Sequence, residues 1–376
     1  MPAVENVLVV GAGAAGAATA ILLAERGVSV DLVDIKPDLG ALGSGITLQG
    51  NALRIFRELG VWDEMRGHGY SFDTLGIRTP GPDATIVAEL HDIRTGGPDL
   101  PATLGMHRPT MARVLVDRAA AVGAKVRFGT TCTSLEQDEN GVEVTFADGS
   151  THRYDLVVGA DGIRSWTRRA LGVPLETKGT GMGIWRAFTP RPASVVRTDL
   201  FYGGPCYIAG YCPTGSDSLY AYLVEDATDR STLTPEESLE LMRGLSQPYH
   251  GPWDDIRETL TDPSRINYTW FESHFLEGPW HRGRVVLVGD AAHACPPTLA
   301  QGAAQALEDA SVLCQLLLGA DVLSDELLTG YTERRAPRVR AVVDGSLQIG
   351  DWMLAHEQGD VPGLMLDIAT MLAEPA

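Results

Sequence analysis

The chain has 376 residues, which suggests two domains or one domain with a large insertion. Hydrophobic residues make up 44% and charged residues 21%, so a sizeable core can form and wholesale disorder is excluded. The 49 acidic residues outnumber the 30 lysines and arginines. The resulting net charge of −19 argues against nucleic acid and against an anionic membrane surface as partners.

The cysteines and one apolar segment bear on the cellular location. Five cysteines are widely spaced without a C-x-x-C pair, and the histidines show no metal-ligand spacing, so we expect neither a disulfide scaffold nor a metal site. The uncharged stretch 7–24 is long enough to suggest a membrane span. Its glycines, and the lack of basic residues before it, favour a buried strand, a turn and a helix instead. We therefore expect a soluble cytoplasmic protein.

The first predicted elements form a βαβ unit. Residues 7–10 are a continuous β-branched and apolar run, typical of a strand that is covered on both faces. Residues 11–16 read G-A-G-A-A-G, residues 17–26 are strong helix formers, and a second buried strand over 28–33 ends at Asp34.

This arrangement predicts a dinucleotide site. The G-x-G-x-x-G motif follows a strand, opens a helix and precedes an acidic residue, Asp34, 21 positions after Gly13. Gly11 permits the tight turn, Gly13 lets the backbone approach the pyrophosphate, and Gly16 permits close helix packing. Asp34 would accept hydrogen bonds from the ribose hydroxyls, and the helix N-terminus would favour the phosphates.

Apolar patterns and turn residues predict further elements: helices over 51–59, 108–122, 235–245 and 301–318, and strands over 126–128, 142–146, 151–154, 156–158 and 285–288. Asp148-Gly149 predicts a tight hairpin. Alternating aromatic and small residues over 175–275 predict an antiparallel sheet. The glycine-rich run 179–183 is interpreted as a loop and not as a second dinucleotide motif, because no apolar strand precedes it.

A second candidate site follows the predicted strand 285–288. A carboxylate at the end of that strand, Asp290, could bind the ribityl hydroxyls of a flavin, although a helix cap is the alternative interpretation. The loop 296–302 leads into a helix whose N-terminus would place partial positive charge near the flavin ring.

Three segments together resemble the fingerprints of single-component flavin-dependent aromatic hydroxylases, the class of para-hydroxybenzoate, salicylate and 6-hydroxynicotinate hydroxylases. They are G-A-G-A-A-G with Asp34, G-A-D-G-I-R-S at 159–165 and G-D-A-A-H-A-C-P-P-T-L-A-Q-G-A-A-Q-A-L-E-D-A at 289–310. The resemblance runs to about residue 320. It implies an α/β fold with a Rossmann-like FAD-binding domain, an inserted and mostly antiparallel β-sheet substrate domain, and a C-terminal helical segment.

The expected domain limits follow from the nucleotide-type signals over 7–34, 156–162 and 285–303, which bracket the aromatic sheet. The FAD-binding domain is predicted to be discontinuous, over 1–174 and 276–330, with a substrate-side insertion near 70–105. The substrate domain is predicted over 175–275, and C-terminal helices over 331–376.

The resemblance also implies which residues bind FAD. They come from the three fingerprints and from the segments between them: Gly11, Gly13, Ala15, Gly16, Asp34, Ile35, Gly45, Thr47, Arg108, Cys132, Asp161, Gly162, Asp290, Pro297, Gly302 and Ala303. Cys132 would contribute only its backbone. Gln49 and Gly50 depart from the family's usual pattern at this point.

The implied activity is NAD(P)H- and O2-dependent hydroxylation of a small phenolic or hydroxylated aromatic or heteroaromatic compound through an FAD C4a-hydroperoxide. The expected partners are FAD, NADH or NADPH as a transient co-substrate, O2 and the small aromatic substrate, with no metal, nucleic acid or membrane. The chain is expected to be a monomer or a homodimer. Two alternatives remain: an oxygenase that hydroxylates or epoxidises a larger natural product, and a flavin-binding sensor without turnover.

Candidate catalytic residues come from the aromatic sheet and the flavin-side strand. Tyr211 is the first candidate because Tyr-Cys-Pro at 211–213 resembles a family segment that faces the substrate. Arg186 offers a cation for an anionic substrate. Thr47 stands where one relative has a histidine base, and threonine is a poor base. Three further tyrosines could polarise a phenol or could be ordinary sheet aromatics: Tyr202, Tyr207 and Tyr222.

Overall fold

The computed structural model describes residues 2–40 and 44–376. The strands in these ranges are β1 (Asn6–Val10), β2 (Ser29–Val33), β3 (Gly45–Gln49), β4 (Tyr70–Phe72), β5 (Thr74–Arg78), β6 (Ile86–His91), β7 (Thr103–His107), β8 (Lys125–Arg127), β9 (Cys132–Asp138), β10 (Gly141–Phe146), β11 (Thr151–Tyr154), β12 (Leu156–Gly159), β13 (Lys178–Pro190), β14 (Thr198–Tyr202), β15 (Ile208–Pro213), β16 (Ser218–Asp226), β17 (Ile266–Phe275), β18 (His281–Arg282), β19 (Val285–Leu287) and β20 (His293–Ala294). The helices are α1 (Ala14–Ala24), α2 (Gly50–Glu58), α3 (Trp62–His68), α4 (Arg108–Ala121), α5 (Trp166–Ala170), α6 (Pro235–Ser246), α7 (Pro252–Thr259), α8 (Gly302–Gly319), α9 (Asp325–Leu354) and α10 (Val361–Ala373).

A mostly parallel six-stranded sheet forms the Rossmann-like part of the molecule, in the order β18-β19-β12-β1-β2-β8. Only β18 runs antiparallel to its neighbour. Helix α1 packs against α4 and α8, while the β9–β11 sheet contacts β1 and β12. Because the central strands are covered in this way, β12 and β19 are buried along their whole length and read as unbroken apolar runs.

An eight-stranded, mostly antiparallel sheet forms the second layer, in the order β20-β17-β13-β16-β15-β14-β5-β6. Its last two strands come from the predicted insertion near 70–105, and β5 pairs with β14 in parallel. Helices α6 and α7 contact β16 and β13 of this sheet. The expected α/β class, with an antiparallel sheet inserted and helices at the C-terminus, is confirmed.

A small sheet in the order β3-β7-β4 connects the two larger ones. Two glycines allow its close approach to the large sheet. A Cβ atom on Gly105 would lie 2.1 Å from the carbonyl oxygen of Pro213, and one on Gly45 would lie 2.4 Å from Cβ of Tyr220. Larger residues at either position would therefore push the small sheet away.

Most predicted elements are present within a few residues of their expected ends, and one interpretation is wrong. The glycine-rich run 179–183 is not a loop but the first half of β13. The strand pairing shifts between Gly179 and Gly183, as in a bulge, which breaks the alternation that would have revealed a strand. At the other end of the chain, α9 extends over 30 residues and begins at Asp325.

The apolar stretch 7–24 folds as β1, a glycine turn and α1. Across residues 2–40 and 44–376, no helix combines the length and the apolar character needed to cross a membrane.

Candidate functional site

The glycine turn after β1 leaves room for a ligand at one position only. A Cβ atom on Gly11 would lie 2.3 Å from the carbonyl oxygen of Ala160, and one on Gly16 would lie 1.9 Å from that of Gly11. A Cβ atom on Gly13 would meet nothing within 4 Å. Gly13 also precedes α1, and no side chain caps this helix N-terminus, where Ala15 is buried in the first turn. This open, uncapped helix end fits a diphosphate.

Asp34 stands beside this turn. Its Oδ2 accepts a hydrogen bond from the Ala12 backbone N–H at 2.8 Å, and its Oδ1 accepts one from Lys36 at 2.8 Å. The next side chain, Ile35, is 70% exposed although it is apolar. A fixed carboxylate next to an exposed apolar side chain fits a ribose and a purine ring.

The segment that begins β9 lies close to Asp34, because the Thr130 N–H donates to the Asp34 carbonyl oxygen at 2.9 Å. Cys132 is buried there, and burial raises the pKa of its thiol to about 12. A neutral buried thiol of this kind offers a ligand no ionic contact, in agreement with a role for the backbone alone.

Asp161 holds the loop that follows β12. Its Oδ2 accepts hydrogen bonds from the Thr167 N–H at 2.8 Å and the Thr167 hydroxyl at 3.0 Å. The carboxylate therefore caps α5, and the loop can offer a cofactor its backbone groups. Gly162 has a φ of +77° and open space at its Cβ position, which suits a close approach.

Asp290 lies in the 3-10 turn Gly289–Ala291, directly after β19. Burial raises the pKa of its carboxyl, while the charges of His293 and Arg108 act in the opposite direction. No hydrogen bond to the Asp290 carboxylate is found in the described part of the chain. A half-buried carboxyl without such a partner, at the carboxyl end of a parallel strand, fits a polyhydroxyl ligand such as the ribityl chain.

The N-terminus of α8 lies near this turn and is hydrogen-bonded to the end of β3 and the start of α2. The Gln49 side chain donates to the Leu299 carbonyl oxygen at 3.2 Å, and Asn51 donates to Gln301 at 3.0 Å. Gln49 and Gln301 are also hydrogen-bonded to each other. The departure of Gln49 from the family pattern thus supplies a bond that fixes the start of α8.

The three other residues predicted at this end of the helix differ in exposure. Pro297 is exposed, whereas Gly302 and Ala303 are half-buried. A Cβ atom on Gly302 would meet nothing within 4 Å, and no side chain caps α8. The open N-terminus of this 18-residue helix fits the electron-rich edge of a flavin ring.

Strand β3, the predicted flavin-side strand, contacts both α8 and strand β16 of the large sheet. Gly45 contacts Tyr220, and the Thr47 hydroxyl lies 3.5 Å from Sγ of Cys212. Arg108 opens α4 beside β3, and its backbone N–H donates to the Ser44 carbonyl oxygen.

One face of the large sheet presents polar aromatic side chains to this strand. Arg186, Tyr220 and Tyr222 share it, because Arg186 is paired directly with Tyr222 and Phe188 with Tyr220 across β13 and β16. Nε of Arg186 donates to the Tyr220 oxygen at 3.3 Å, so the Tyr220 proton is free for another acceptor.

The electrostatics of this face favour neutral tyrosines and an unpaired cation. Burial raises the pKa of Tyr220 and of Tyr222, and Arg186 and Arg108 only partly oppose this for Tyr220. Arg186 also donates to the Thr269 hydroxyl. Arg186 forms no ion pair with a carboxylate in the described ranges.

Tyr211, the first candidate from the sequence, lies on the opposite face of the sheet and is not in the group around Arg186. Its hydroxyl donates to Oδ2 of Asp199 at 2.8 Å, and the same carboxylate pairs with Arg78 at 2.6 Å and Arg197 at 2.9 Å. Tyr211 packs in the core with Trp253 and other residues of the α6 and α7 side. The physical reason is strand alternation: Cys212 points toward Thr47, so its neighbour Tyr211 points away.

Of the other tyrosines proposed from the sequence, some share the face of Arg186 and one does not belong to that group. Tyr202 lies at the end of β14, on the same face as Tyr222, and is 36% exposed. The Tyr207 hydroxyl donates to Asp226 at 2.6 Å and is not in the group around Arg186. The sequence analysis did not propose Tyr220. It lies two residues before the proposed Tyr222 on the same strand, so the period of a strand places both side chains on one face.

Three residues that hold the Asp290 turn were also missed: Arg168, His274 and Asp309. A signal for Asp309 was available, because the pair Glu308-Asp309 carries the only charges in the helix Gly302–Gly319. Both side chains are fully buried, which requires ionic or hydrogen-bonding partners in the folded chain.

The chain is similar to known proteins over most of its length. Residues 5–346 match the family model described as FAD binding domain. The chain is 32% identical to 3-amino-4-hydroxybenzoate 2-monooxygenase of Streptomyces cremeus, covering 90% of this chain and 84% of that protein. It is 31% identical to 6-hydroxynicotinate 3-monooxygenase of Pseudomonas fluorescens, covering 90% and 89%. The structure of 2-methyl-3-hydroxypyridine-5-carboxylic acid oxygenase superposes with a TM-score of 0.80 at 26% identity, covering 97% and 96%.

The fold and the comparisons define a class of protein: this chain belongs to the FAD-binding domain family. Within that family it is an FAD-dependent monooxygenase of the aromatic hydroxylase class. The resemblance inferred from the three fingerprints is confirmed, and so is FAD as the cofactor.

Proposed function

We propose that this enzyme hydroxylates a small phenolic or hydroxylated heteroaromatic compound that carries an anionic group, with NADH or NADPH and O2 as co-substrates. The observation that carries the proposal is the group formed by Arg186 and Tyr220 on the face of the sheet that meets β3. The relatives support it, since their names describe monooxygenases of hydroxylated benzoates and nicotinates.

The cofactor would be held by the groups described above. The diphosphate would lie at Gly13 and the start of α1, and the adenosine ribose at Asp34. The ribityl chain would lie at Asp290, and the ring at the start of α8 beside Gly45. When bound and reduced, FAD supplies the activation of O2. The protein residues bind and orient the substrate and exclude water.

Two side chains would act on the substrate directly. Arg186 would pair with its carboxylate or other anionic group, which explains why this cation is left without an acidic partner within the described residues. Tyr220 accepts from Arg186 and would donate its own proton to the phenolic oxygen. Thr47 would then position the ring rather than act as a base.

The proposal is tested by a substrate panel. NADH and NADPH consumption is followed with hydroxylated benzoates, hydroxypyridines and simple phenols, and mass spectrometry detects a product heavier by one oxygen atom. We expect turnover with an acid that also carries a ring hydroxyl. Turnover confined to bulky polycyclic compounds would favour a natural-product oxygenase. NADH or NADPH consumption that no aromatic compound accelerates would favour a sensor.

Substitutions on the two faces of the sheet separate the candidate residues. Arg186→Gln removes a charge-assisted hydrogen bond of about 2 kcal/mol, so KM for an acidic substrate rises roughly 30-fold. Tyr220→Phe lowers kcat about 100-fold with little change in FAD binding.

Tyr211→Phe is the matched control, because it removes the same hydroxyl from the opposite face. We expect it to lower the free energy of unfolding by about 1–2 kcal/mol, since a buried carboxylate loses a donor, and to leave kcat nearly unchanged. Loss of turnover in Tyr211→Phe with normal turnover in Tyr220→Phe would reverse our assignment.

We also propose that the enzyme works in the reducing cytoplasm. All five cysteines are free, and four of them are buried, which suits a compartment that keeps thiols reduced.

A further inference from the structure

The turn that carries Asp290 is held at each of its three residues by a side chain from a different element. The Gly289 N–H donates to Oδ2 of Asp309 at 2.8 Å. Nε2 of His274 bonds the Asp290 carbonyl oxygen at 2.9 Å, and Nη1 of Arg168 donates to that of Ala291 at 2.8 Å. All three of these side chains are buried.

The Asp309 carboxylate accepts two further hydrogen bonds besides the one from Gly289. Its Oδ2 also accepts from Nε2 of His293 at 2.6 Å, and its Oδ1 accepts from Nε of Arg335 at 2.7 Å. Burial alone would raise the pKa of Asp309, but the charges of His293 and Arg335 outweigh it and hold the pKa below its usual value. The carboxylate is therefore an ionised and immobile acceptor for the Gly289 N–H.

The turn also lies directly on α8. Gly289 has a φ of +57°, and a Cβ atom there would be 3.0 Å from Cβ of Ala306. A small movement of Asp309, one turn further along the same helix, would therefore move the turn. Asp290, the next residue, would move with it.

His274 reaches the turn from the substrate-side sheet. It lies at the end of β17, and its Nδ1 is 2.8 Å from the Thr177 hydroxyl. A carbonyl oxygen can only accept, so Nε2 must carry the proton and donate to Asp290. Burial lowers the pKa of His274 to about 4, with Arg168 acting in the same direction, so the ring is neutral at neutral pH.

We propose that Asp309 and His274 are positioning residues for the cofactor: together they set the place of the Asp290 carboxylate, and thereby the affinity and reduction potential of the bound flavin. The proposal rests on the role of Asp290 as a ribityl ligand given under the proposed function. Asp309 fixes the turn to the nucleotide-binding part, and His274 fixes it to the sheet that faces the substrate.

Glu308 provides a matched control. It is the neighbour of Asp309, is equally buried, and accepts bonds from Arg335 at 2.9 Å, Arg338 at 2.9 Å and Asn51 at 3.2 Å. None of the hydrogen bonds found for Glu308 within the described residues goes to the Asp290 turn. A purely structural role for this buried charge cluster predicts similar effects at both positions, whereas positioning predicts an effect on flavin at Asp309 alone.

The experiment measures FAD binding to the apoprotein by quenching of flavin fluorescence, the FAD-induced rise in Tm, and the midpoint potential of the bound flavin. Asp309→Asn leaves one acceptor oxygen for three donors. We expect Kd for FAD to rise roughly 10- to 100-fold, as for residues that orient metal ligands, with a shifted potential. Glu308→Gln should lower Tm with and without FAD by the same amount and leave Kd unchanged.

A second pair of variants tests the positioning role even if Asp309→Asn does not fold. His274→Gln keeps an N–H donor for the Asp290 carbonyl group and should bind FAD like the wild type, whereas His274→Leu should bind it about 10-fold more weakly. Equal FAD affinity and potential in His274→Leu, His274→Gln and the wild type would overturn the proposal.

Asp290→Ala distinguishes failure of this proposal from failure of its premise. If Asp290→Ala loses flavin affinity and His274→Leu does not, the positioning role is wrong and the ribityl contact stands. If Asp290→Ala binds FAD normally, the contact itself is wrong, and the positioning role falls with it. Neither measurement requires substrate turnover, so the proposed hydroxylation is judged separately.

Discussion

The three glycines after β1 differ in role: two are required by backbone packing, and one faces open space. Gly11 and Gly16 are required by the protein itself, since a Cβ atom at either would contact backbone atoms within 2.3 Å. Gly13 faces open space. Only at Gly13 would a side chain compete with a ligand without disturbing the fold.

Gly13→Val should therefore abolish flavin binding and leave the apoprotein folded. The purified variant should be colourless, with an apoprotein stability lowered by about 1 kcal/mol at most, because valine is a poor residue at a helix N-cap. Absorption spectra and thermal unfolding of the apoprotein check this.

Gly16→Ala is the contrasting substitution. Its new methyl group would meet the Gly11 carbonyl oxygen, so we expect the apoprotein itself to lose about 1–3 kcal/mol. A Gly13→Val protein that is purified with stoichiometric FAD would contradict the diphosphate contact.

Among the elements, the small β3-β7-β4 sheet would set the distance between the cofactor and the substrate at the sites proposed above. It carries Gly45 and Thr47 on β3 and contacts the large sheet through Gly105 on β7. The close approach of β7 to β15 and of β3 to Tyr220 would bring the proposed group of Arg186 and Tyr220 near the proposed flavin site.

Gly105→Ala should weaken substrate binding more than FAD binding. Its Cβ atom would lie 2.1 Å from the Pro213 carbonyl oxygen and 2.6 Å from Sγ of Cys212, so the two sheets must separate locally. We expect a loss of about 1–3 kcal/mol in stability and a raised KM for the aromatic substrate.

The matched control is Gly67→Ala in α3, where an added Cβ atom would meet nothing within 4 Å. It should be neutral or stabilise the helix by up to about 1 kcal/mol. Equal kinetic effects of the two substitutions would show that the contact at Gly105 does not matter.

For the whole molecule, the link between the two large sheets predicts a dependence of stability on pH. His274 joins β17 to the Asp290 turn, and its pKa is lowered from 6.5 to about 4 by burial, followed by the charge of Arg168. Between these values the unfolded chain binds the proton and the folded chain does not. The stability contribution is therefore complete above about pH 6.5 and is lost as the pH falls toward 4.

The expected loss over this window is about 2–3 kcal/mol, allowing for partial solvent screening. Because other groups titrate in the same range, the quantity to measure is the difference in the free energy of unfolding between the wild type and His274→Gln from pH 7 to pH 4. The difference should change in favour of the variant as the pH falls. Parallel curves would show that His274 does not titrate in this way.

The sequence by itself determined the features that depend on local chemistry. FAD and the full fold were implied by the resemblance that the three fingerprints carry, whereas the glycine motif, the βαβ spacing to Asp34 and the strand that leads to Asp290 predicted a dinucleotide site. They did so because a tight turn, an open helix N-terminus and a carboxylate at a strand end need particular residues at particular positions. The prediction of a loop over 179–183 is wrong because the local pattern was misleading there: a bulge interrupts the two-residue period that identifies a strand.

Only the tertiary structure decided which side chains meet. Alternation along β15 shows that Tyr211 and Cys212 point to opposite faces, but not which face meets the flavin-side strand; that depends on the packing of β7 against β15. Likewise, His274 and Asp309 lie 16 residues before and 19 residues after Asp290 in the chain. Their contacts with its turn arise from the folding of β17 and α8 around it, because long-range packing is not encoded in any local pattern.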